Sequence, residues 1–90
     1  MTYRIEFTAK AKRQLKDLSK VDRYALGRIK TRIDALANNP RPPDVKKLSG
    51  TESLYRIRVG DYRIIYEIQD RVLVVLVVKI GRRGDVYRPG

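Results

Sequence analysis

Three arginines in one short hairpin are the residues of this sequence best suited to chemistry. Arg56 and Arg58 alternate with apolar residues, and Gly60-Asp61 is a glycine-first dipeptide typical of a two-residue type II′ turn. That turn places Arg58 opposite Arg63, with Arg56 on the same face. Because like charges directly across a strand pair destabilise it, two interpretations stand, a solvated basic face and an anion site for phosphate. We favour the anion site.

The other face of this hairpin is apolar and aromatic, which is typical of a half-buried strand pair. Its predicted members are Tyr55, Ile57, Val59, Tyr62, Ile64 and Tyr66. The hairpin therefore separates a core face from a basic face. We expect the three tyrosines to belong to the core and to take no part in catalysis.

Charge and composition narrow the possible functions of this 90-residue chain. It has a net charge of +11, which favours a polyanionic partner such as nucleic acid, an anionic membrane or an acidic protein. It contains no cysteine and no histidine, which removes disulfides, thiolate metal sites and the commonest general base. We therefore expect no metal and no cofactor. The N-terminus lacks the apolar segment of a signal peptide, and the cytoplasm is the expected location.

The first part of the chain predicts a strand and two helices. Residues 2–7 alternate as a strand does, and Thr8 is a suitable N-cap for a first helix. Ser19 or Asp22 can cap a second helix, which runs to about Asn38. The short connection between the helices predicts an antiparallel pair. Apolar stripes support both helices, with Ala11, Leu15 and Leu18 in the first and Leu26, Ile29, Ile33 and Leu36 in the second.

The second part predicts a linker and a last strand. Residues 40–53 contain three prolines and are expected to cross from helix to sheet on an extended path. Residues 72–80 are apolar on both faces, as in a strand covered on both sides. Leu73, Val75 and Val77 are expected in the core. Ile65, Val74 and Leu76 are expected to form an exposed apolar strip that a partner or the chain end covers.

The chain end brings further basic residues toward Arg63. After the last strand the sequence continues Gly81-Arg82-Arg83-Gly84-Asp85-Val86-Tyr87-Arg88. Because this segment leaves the sheet next to Arg63, we expect its arginines and tyrosine to extend the basic face. Asp85 is expected to form a salt bridge with an arginine.

This order of elements resembles the RelE/ParE superfamily of bacterial toxins over nearly the whole chain. The resemblance is carried by Leu48-Ser49-Gly50, by the hairpin from Leu54 to Tyr66, and by Arg83 with Asp85-Val86-Tyr87-Arg88. It is closer to the RelE branch than to the ParE branch. It implies a single domain over residues 1–90 with an α+β fold. In that fold an N-terminal strand and two antiparallel helices precede a three-stranded antiparallel meander, and the helices pack on one face of a mostly antiparallel sheet.

The resemblance also implies a function. RelE-like toxins are the toxin components of type II toxin–antitoxin systems, and they cut mRNA in the ribosomal A site and so inhibit translation. The implied partners are a cognate antitoxin, mRNA and the ribosome, with operator DNA reached only through the antitoxin and no membrane partner. Two alternatives remain open, a ParE-like inhibitor of DNA gyrase and a basic module without catalytic activity that binds an antitoxin.

The resemblance implies roles for particular residues. Arg56 and Arg58 stand where the best-studied members carry two lysines, and Arg63 stands at the arginine that stabilises phosphate charge. Arg83 stands at the arginine proposed as general acid, and Tyr87 at the tyrosine that places the nucleotide. No metal is implied, because the nucleophile is a ribose 2′-OH of the substrate itself.

The remaining basic residues near this face are candidates for binding RNA. They are Lys46, Lys47, Arg82 and Arg88. The general base is unassigned, because arginine stays protonated in proteins. The sequence leaves open whether Tyr87, the phosphate oxygens in a geometry set by the ribosome, or no group at all takes the proton.

Overall fold

Two helices and a five-stranded sheet make up the part of the chain that the structure, a computed structural model, describes, namely residues 2–48, 50 and 53–82. The helices are α1, Ala9–Val21, and α2, Arg23–Ala35. The strands are β1, Arg4–Phe7; β2, Lys46–Lys47; β3, Leu54–Val59; β4, Tyr62–Gln69; and β5, Val74–Arg82. This arrangement confirms the predicted α+β class.

The sheet has the order β1-β5-β4-β3-β2, with β1 parallel to β5 and the other neighbours antiparallel. The mostly antiparallel sheet was predicted, but β2 was not. Lys46 and Lys47, expected in the linker, pair with Arg56 and Tyr55 at the edge of β3. Because β2 is only two residues long, it has no alternating pattern of its own, and its pairing depends on the neighbouring edge.

The β3–β4 hairpin has the predicted register. Val59 pairs with Tyr62, and Arg58 pairs directly with Arg63. Gly60 has a φ of 57°, the left-handed value that the first position of such a turn requires. The apolar face and the basic face therefore lie on opposite sides of the sheet, as expected.

The side chains of Thr8 and Asp22 are the N-caps of α1 and α2. The Thr8 hydroxyl accepts a hydrogen bond from the Ala11 amide at 3.1 Å, as predicted, and the Asp22 carboxylate accepts one from the Ala25 amide at 3.0 Å. Asp22 also closes α1, since its amide donates to the Leu18 carbonyl. A single residue thus separates the helices. α2 ends at Ala35 rather than near Asn38, and a short turn follows.

The core lies between the helices and one face of the sheet. Its buried members are Ala11, Leu18, Ile29, Ile33, Leu36, Ile57, Val59, Tyr62, Ile64, Tyr66, Ile68, Val75, Val77 and Ile80. Tyr66 is fully buried, and its hydroxyl donates a hydrogen bond to the Pro40 carbonyl at 2.7 Å. Burial raises the pKa of Tyr66. The tyrosines Tyr62 and Tyr66 therefore serve the core, as predicted.

The last strand differs from the prediction at both ends. It starts at Val74 rather than Val72, because residues 70–73 form the turn and Leu73 has a φ of 54° there. The predicted core position of Leu73 is therefore wrong. The predicted strip is not left exposed, since Ile65 is only 7% exposed, Val74 only 2%, and Leu76 is half-buried.

A bulge in β5 changes which face its last residues occupy. Ile65 pairs with Lys79 while Tyr66 pairs with Val77, which leaves Val78 as the extra residue. Side chains of the first helical segment hold this bulge: the Thr8 hydroxyl donates to the Val78 carbonyl at 2.7 Å. The Gln14 side-chain oxygen accepts from the Ile80 amide, also at 2.7 Å. Beyond the bulge, alternation along β5 is inverted.

Candidate active site

A small basic cavity lies on the face of the sheet away from the helices. We call it the arginine cavity; it is lined by Asp44, Lys46, Arg56, Arg58 and Arg63 and has a volume of about 280 Å³. The strands β2, β3 and β4 supply its four cationic groups. Because Lys46 pairs with Arg56 and Arg58 pairs with Arg63, the sheet register places these side chains on one face.

Arg63 is the buried group of this cavity. It is 7% exposed, and its Nε and Nη1 atoms are buried without a hydrogen-bond partner. Its cross-strand neighbour Arg58 is exposed, so the two like charges separate by extending Arg58 into solvent. A buried charge without a partner costs several kcal/mol, and buried polar atoms in proteins are almost always hydrogen-bonded. The cavity is therefore suited to an anion.

Asp44 is the carboxylate of the arginine cavity, and sequence reasoning missed it. Its Oδ1 accepts a hydrogen bond from Arg32 of α2, and this bond lowers the pKa of Asp44. The side chain is 52% exposed. Asp44 lies in the turn before β2, outside any alternating stretch, so the sequence offers no signal for it.

Two predicted RNA-binding residues lie away from the arginine cavity. Arg82 pairs with Tyr62, and its guanidinium lies 5.9 Å from the centre of the Tyr62 ring, on the side of the helices. A hydrogen bond with Tyr62 raises the pKa of Arg82. Lys47 pairs with Tyr55 and so faces away from Arg56. Arg82 and Lys47 therefore lie outside the arginine cavity, and their binding of RNA stays a prediction.

The other predicted site residues lie outside the described part of the chain. They are Arg83, Tyr87 and Arg88, together with Asp85. Their roles stay predictions from the sequence.

A larger groove of about 660 Å³ runs along α2. Its lining combines Arg23, Tyr24, Gly27, Arg28, Thr31, Arg32, Ala35, Arg58 and Val59. Its arginines are exposed or half-buried, so water can solvate their charges and no anionic ligand is required. We therefore place the candidate active site in the smaller cavity, where Arg63 is buried.

No cluster of His, Cys, Asp or Glu suited to a metal ion occurs among residues 2–48, 50 and 53–82. In the same residues no helix is both long enough and apolar enough to cross a membrane.

Comparison with known proteins identifies the family. Residues 5–87 match the family model of the ParE toxin of type II toxin–antitoxin systems, parDE. The chain belongs to this family of toxins.

The similar curated relatives and solved structures reported next are named RelE. Toxin RelE3 of Methanocaldococcus jannaschii is 38% identical over 86% of this chain and 90% of its own length. The mRNA interferase toxin RelE of Escherichia coli is 29% identical over 97% of this chain and 92% of its own. The archaeal RelE–RelB complex from Pyrococcus horikoshii contains a chain that superposes with a TM-score of 0.77 at 35% identity, covering 93% of this chain and 98% of that one. These likenesses confirm the resemblance that the motifs carried.

Proposed function

We propose that this chain is the toxin of a type II toxin–antitoxin system and an endoribonuclease that cuts mRNA in the ribosomal A site, inhibiting translation. Family membership and the RelE names of its relatives, among them an mRNA interferase, support this proposal. The reaction is attack of a ribose 2′-OH on the adjacent phosphate, which yields a 2′,3′-cyclic phosphate and a free 5′-OH. It needs no metal, because the substrate contains its own nucleophile.

The observation that carries the proposal is the burial of Arg63, whose Nε and Nη1 atoms have no hydrogen-bond partner. A phosphate in the arginine cavity would provide the acceptors that Arg63 lacks. The five-coordinate transition state is more negative than the substrate, so a fixed cation stabilises the transition state more than the ground state. Arginine suits this task because its planar group stays charged and donates several hydrogen bonds at once.

The other site residues have supporting roles in this proposal. Arg56, Arg58 and Lys46 line the same cavity and would hold the non-bridging phosphate oxygens and the RNA backbone. From the family resemblance, Arg83 would protonate the leaving 5′ oxygen and Tyr87 would stack on a base. Arg88 would bind RNA beside them.

The proposed partners follow from the same reaction. They are mRNA and the ribosome for activity and a cognate antitoxin for control, and operator DNA is reached only through that antitoxin. A net charge of +11 suits ribosomal RNA and an acidic antitoxin segment alike. We place the protein in the cytoplasm, where translating ribosomes are, as a single domain over residues 1–90.

The test is induced expression followed by mapping of mRNA ends on ribosomes. We expect cuts phased within codons and cyclic-phosphate ends from the native chain, and their loss from Arg63→Ala and Arg83→Ala. Arg4→Ala is the matched control, because Arg4 is an exposed arginine of β1, at the far edge of the sheet. Full toxicity of both active-site variants would refute the proposal.

A ParE-like inhibitor of DNA gyrase is the second candidate, favoured by the ParE description of the matching family model. The same induction distinguishes the two. Stalled gyrase–DNA complexes with intact mRNA would establish the gyrase inhibitor, and phased mRNA cuts would exclude it.

A further inference from the structure

We propose that Asp44 is a catalytic residue of the arginine cavity and takes the proton of the ribose 2′-OH. This inference rests on the proposed cleavage of RNA and names the general base that such cleavage requires. Asp44 has the one carboxylate among the described residues that line the cavity. The other four lining residues are Lys46, Arg56, Arg58 and Arg63, all cationic, and the chain contains no histidine.

The geometry of Asp44 suits a positioned base. Arg32 donates its hydrogen bond to Oδ1, which leaves Oδ2 as the oxygen that can accept a substrate proton. Arg32 belongs to α2, so the helix fixes the direction of the carboxylate. Arg32 is thus a positioning residue. The half-exposed state of Asp44 leaves it accessible to RNA.

Charge explains how a carboxylate can work among arginines. The Arg32 hydrogen bond lowers the pKa of Asp44, so the group is ionised at neutral pH and ready to accept a proton. A low pKa makes it a weaker base. The cations that hold the phosphate offset this weakness, because a nearby positive charge also favours the ionised form of the 2′-OH.

Cleavage forms one bond to phosphorus, breaks another and moves two protons. The 2′ oxygen forms a bond to phosphorus while its proton moves to Oδ2 of Asp44. The bond from phosphorus to the 5′ oxygen breaks, and that oxygen leaves with the bonding pair and takes a proton from the cationic donor, for which Arg83 is proposed. Asp44 then returns its proton to water, and the donor takes one up.

The experiment compares Asp44→Asn with Asp70→Asn in the full-length chain, by single-turnover cleavage of mRNA on programmed ribosomes. Asp70 is a matched control because its carboxylate is also held by an arginine, Arg41, outside the cavity. We expect Asp44→Asn to slow cleavage by about 100-fold or more, the usual contribution of a general base. Asp70→Asn should stay within about threefold of the native rate, since surface changes away from a site act weakly.

Three further measurements separate a catalytic role from a structural one. Binding of an mRNA with a 2′-deoxyribose at the cut site should be unchanged in Asp44→Asn, because that ligand has no proton to give. A substrate with sulfur at the 5′ bridging position needs no acid, so it should not restore the rate of Asp44→Asn. The native rate should be independent of pH above about 5, where a carboxylate is ionised, whereas Asp44→Asn should gain rate as hydroxide replaces the lost base.

The outcomes discriminate between this inference and the proposed function. If the native chain cleaves no mRNA, the proposed function itself fails. If the native chain cleaves mRNA and the cleavage rate of Asp44→Asn stays within about threefold of the native rate, Asp44 is not the base. A general base contributes more than that. Weaker binding of the deoxy ligand that accounts for the whole loss would also overturn the inference.

Discussion

Arg41, in the linker beside the end of β4, and Arg63, near the start of β4, are two arginines that differ both in burial and in partners. Arg41 has a carboxylate partner and an aromatic ring beside it, whereas Arg63 is buried with two nitrogens unpartnered. Asp70, the partner of Arg41, follows the end of β4, and Arg63 lies near its start.

The satisfied end forms what we call the Arg41 cluster, of Tyr3, Arg41, Tyr55 and Asp70. The Arg41 guanidinium lies 2.9 Å from the Asp70 carboxylate and 5.4 Å from the centre of the Tyr55 ring. The Tyr3 hydroxyl donates to the same carboxylate at 2.7 Å. These contacts tie together four segments distant in sequence. Hydrogen bonds from Arg41 and Tyr3 lower the pKa of Asp70.

This difference in partners separates an arginine that stabilises the fold from an arginine suited to binding a ligand. The Arg41 cluster pairs each charge and holds the linker against the sheet, so its interactions are complete without a ligand. The arginine cavity contains a buried charge whose interactions an anion would complete. Selection for a stable sheet alone would favour a carboxylate beside Arg63 or an apolar residue in its place.

Arg63→Met should remove activity while preserving the fold. We expect cleavage on ribosomes to fall by about 100-fold or more, the usual cost of losing one preorganised donor. The free energy of unfolding should stay unchanged or rise by about 1 kcal/mol or more, because a buried charge is replaced by an apolar group. Urea unfolding and single-turnover cleavage measure the two quantities.

Arg63→Lys is the control for this variant, since it keeps the charge and loses the planar fork. It should recover part of the activity and none of the stability gain. A large loss of stability in Arg63→Met would mean that Arg63 holds the sheet together, which would contradict the contrast with Arg41.

Tyr66→Phe should lower the stability of the fold near the Arg41 cluster. The change removes the buried hydrogen bond to the Pro40 carbonyl and leaves that acceptor without its partner. We expect a loss of about 1–2 kcal/mol in the free energy of unfolding, which corresponds to this kind of buried bond. Thermal or urea unfolding measures it. Tyr24→Phe, at a tyrosine that is 77% exposed, should be neutral; equal losses from both changes would refute this role of burial.

Inorganic phosphate should stabilise the arginine cavity specifically. At ten times its dissociation constant, a ligand that binds only the folded chain raises the free energy of unfolding by about 1.4 kcal/mol. The native chain should show this rise and Arg63→Met should not. Thermal unfolding at constant ionic strength, with chloride replacing phosphate, is the measurement. Equal shifts in both chains would show nonspecific binding to the basic surface.

The sequence predicts the parts of this fold that local rules determine. The β3–β4 register follows from Gly60 and the alternation beside it, and Thr8 and Asp22 begin helices because of their side-chain oxygens. The bulge at Val78 depends instead on contacts with α1, which no local pattern records. It inverts the alternation of β5, and this inversion is why Arg82 lies over Tyr62 on the side of the helices.

The candidate site was predictable in charge but not in burial. Pairing of Arg58 with Arg63 predicted an anion site, yet the sequence gives no sign that Arg63 is the buried member. The two-residue strand β2 brings Lys46, and with it Asp44, to the same face. Because β2 has too few residues for a pattern, a carboxylate in the site could be found only from the three-dimensional arrangement.

Asp70→Asn should have the smallest effect and a distinct dependence on pH. The folded-state pKa of Asp70 lies below its unfolded value of about 3.9, so its stabilisation is fully present above that pH and disappears as the pH falls through the folded pKa. Asp70→Asn should therefore be less stable than the native chain at pH 7 and pH 5, and the difference should vanish as acid protonates the native carboxylate. Urea unfolding across this range measures it, with Asp17→Asn at an exposed position of α1 as control. Because the Arg41–Asp70 pair is partly exposed, the difference should also shrink in high salt, whereas the effect of Arg63→Met, at a buried site, should persist. A stability difference that grows toward low pH would show that Asp70 does not act through its charge. The ion pair with Asp70 would then not distinguish Arg41 from Arg63.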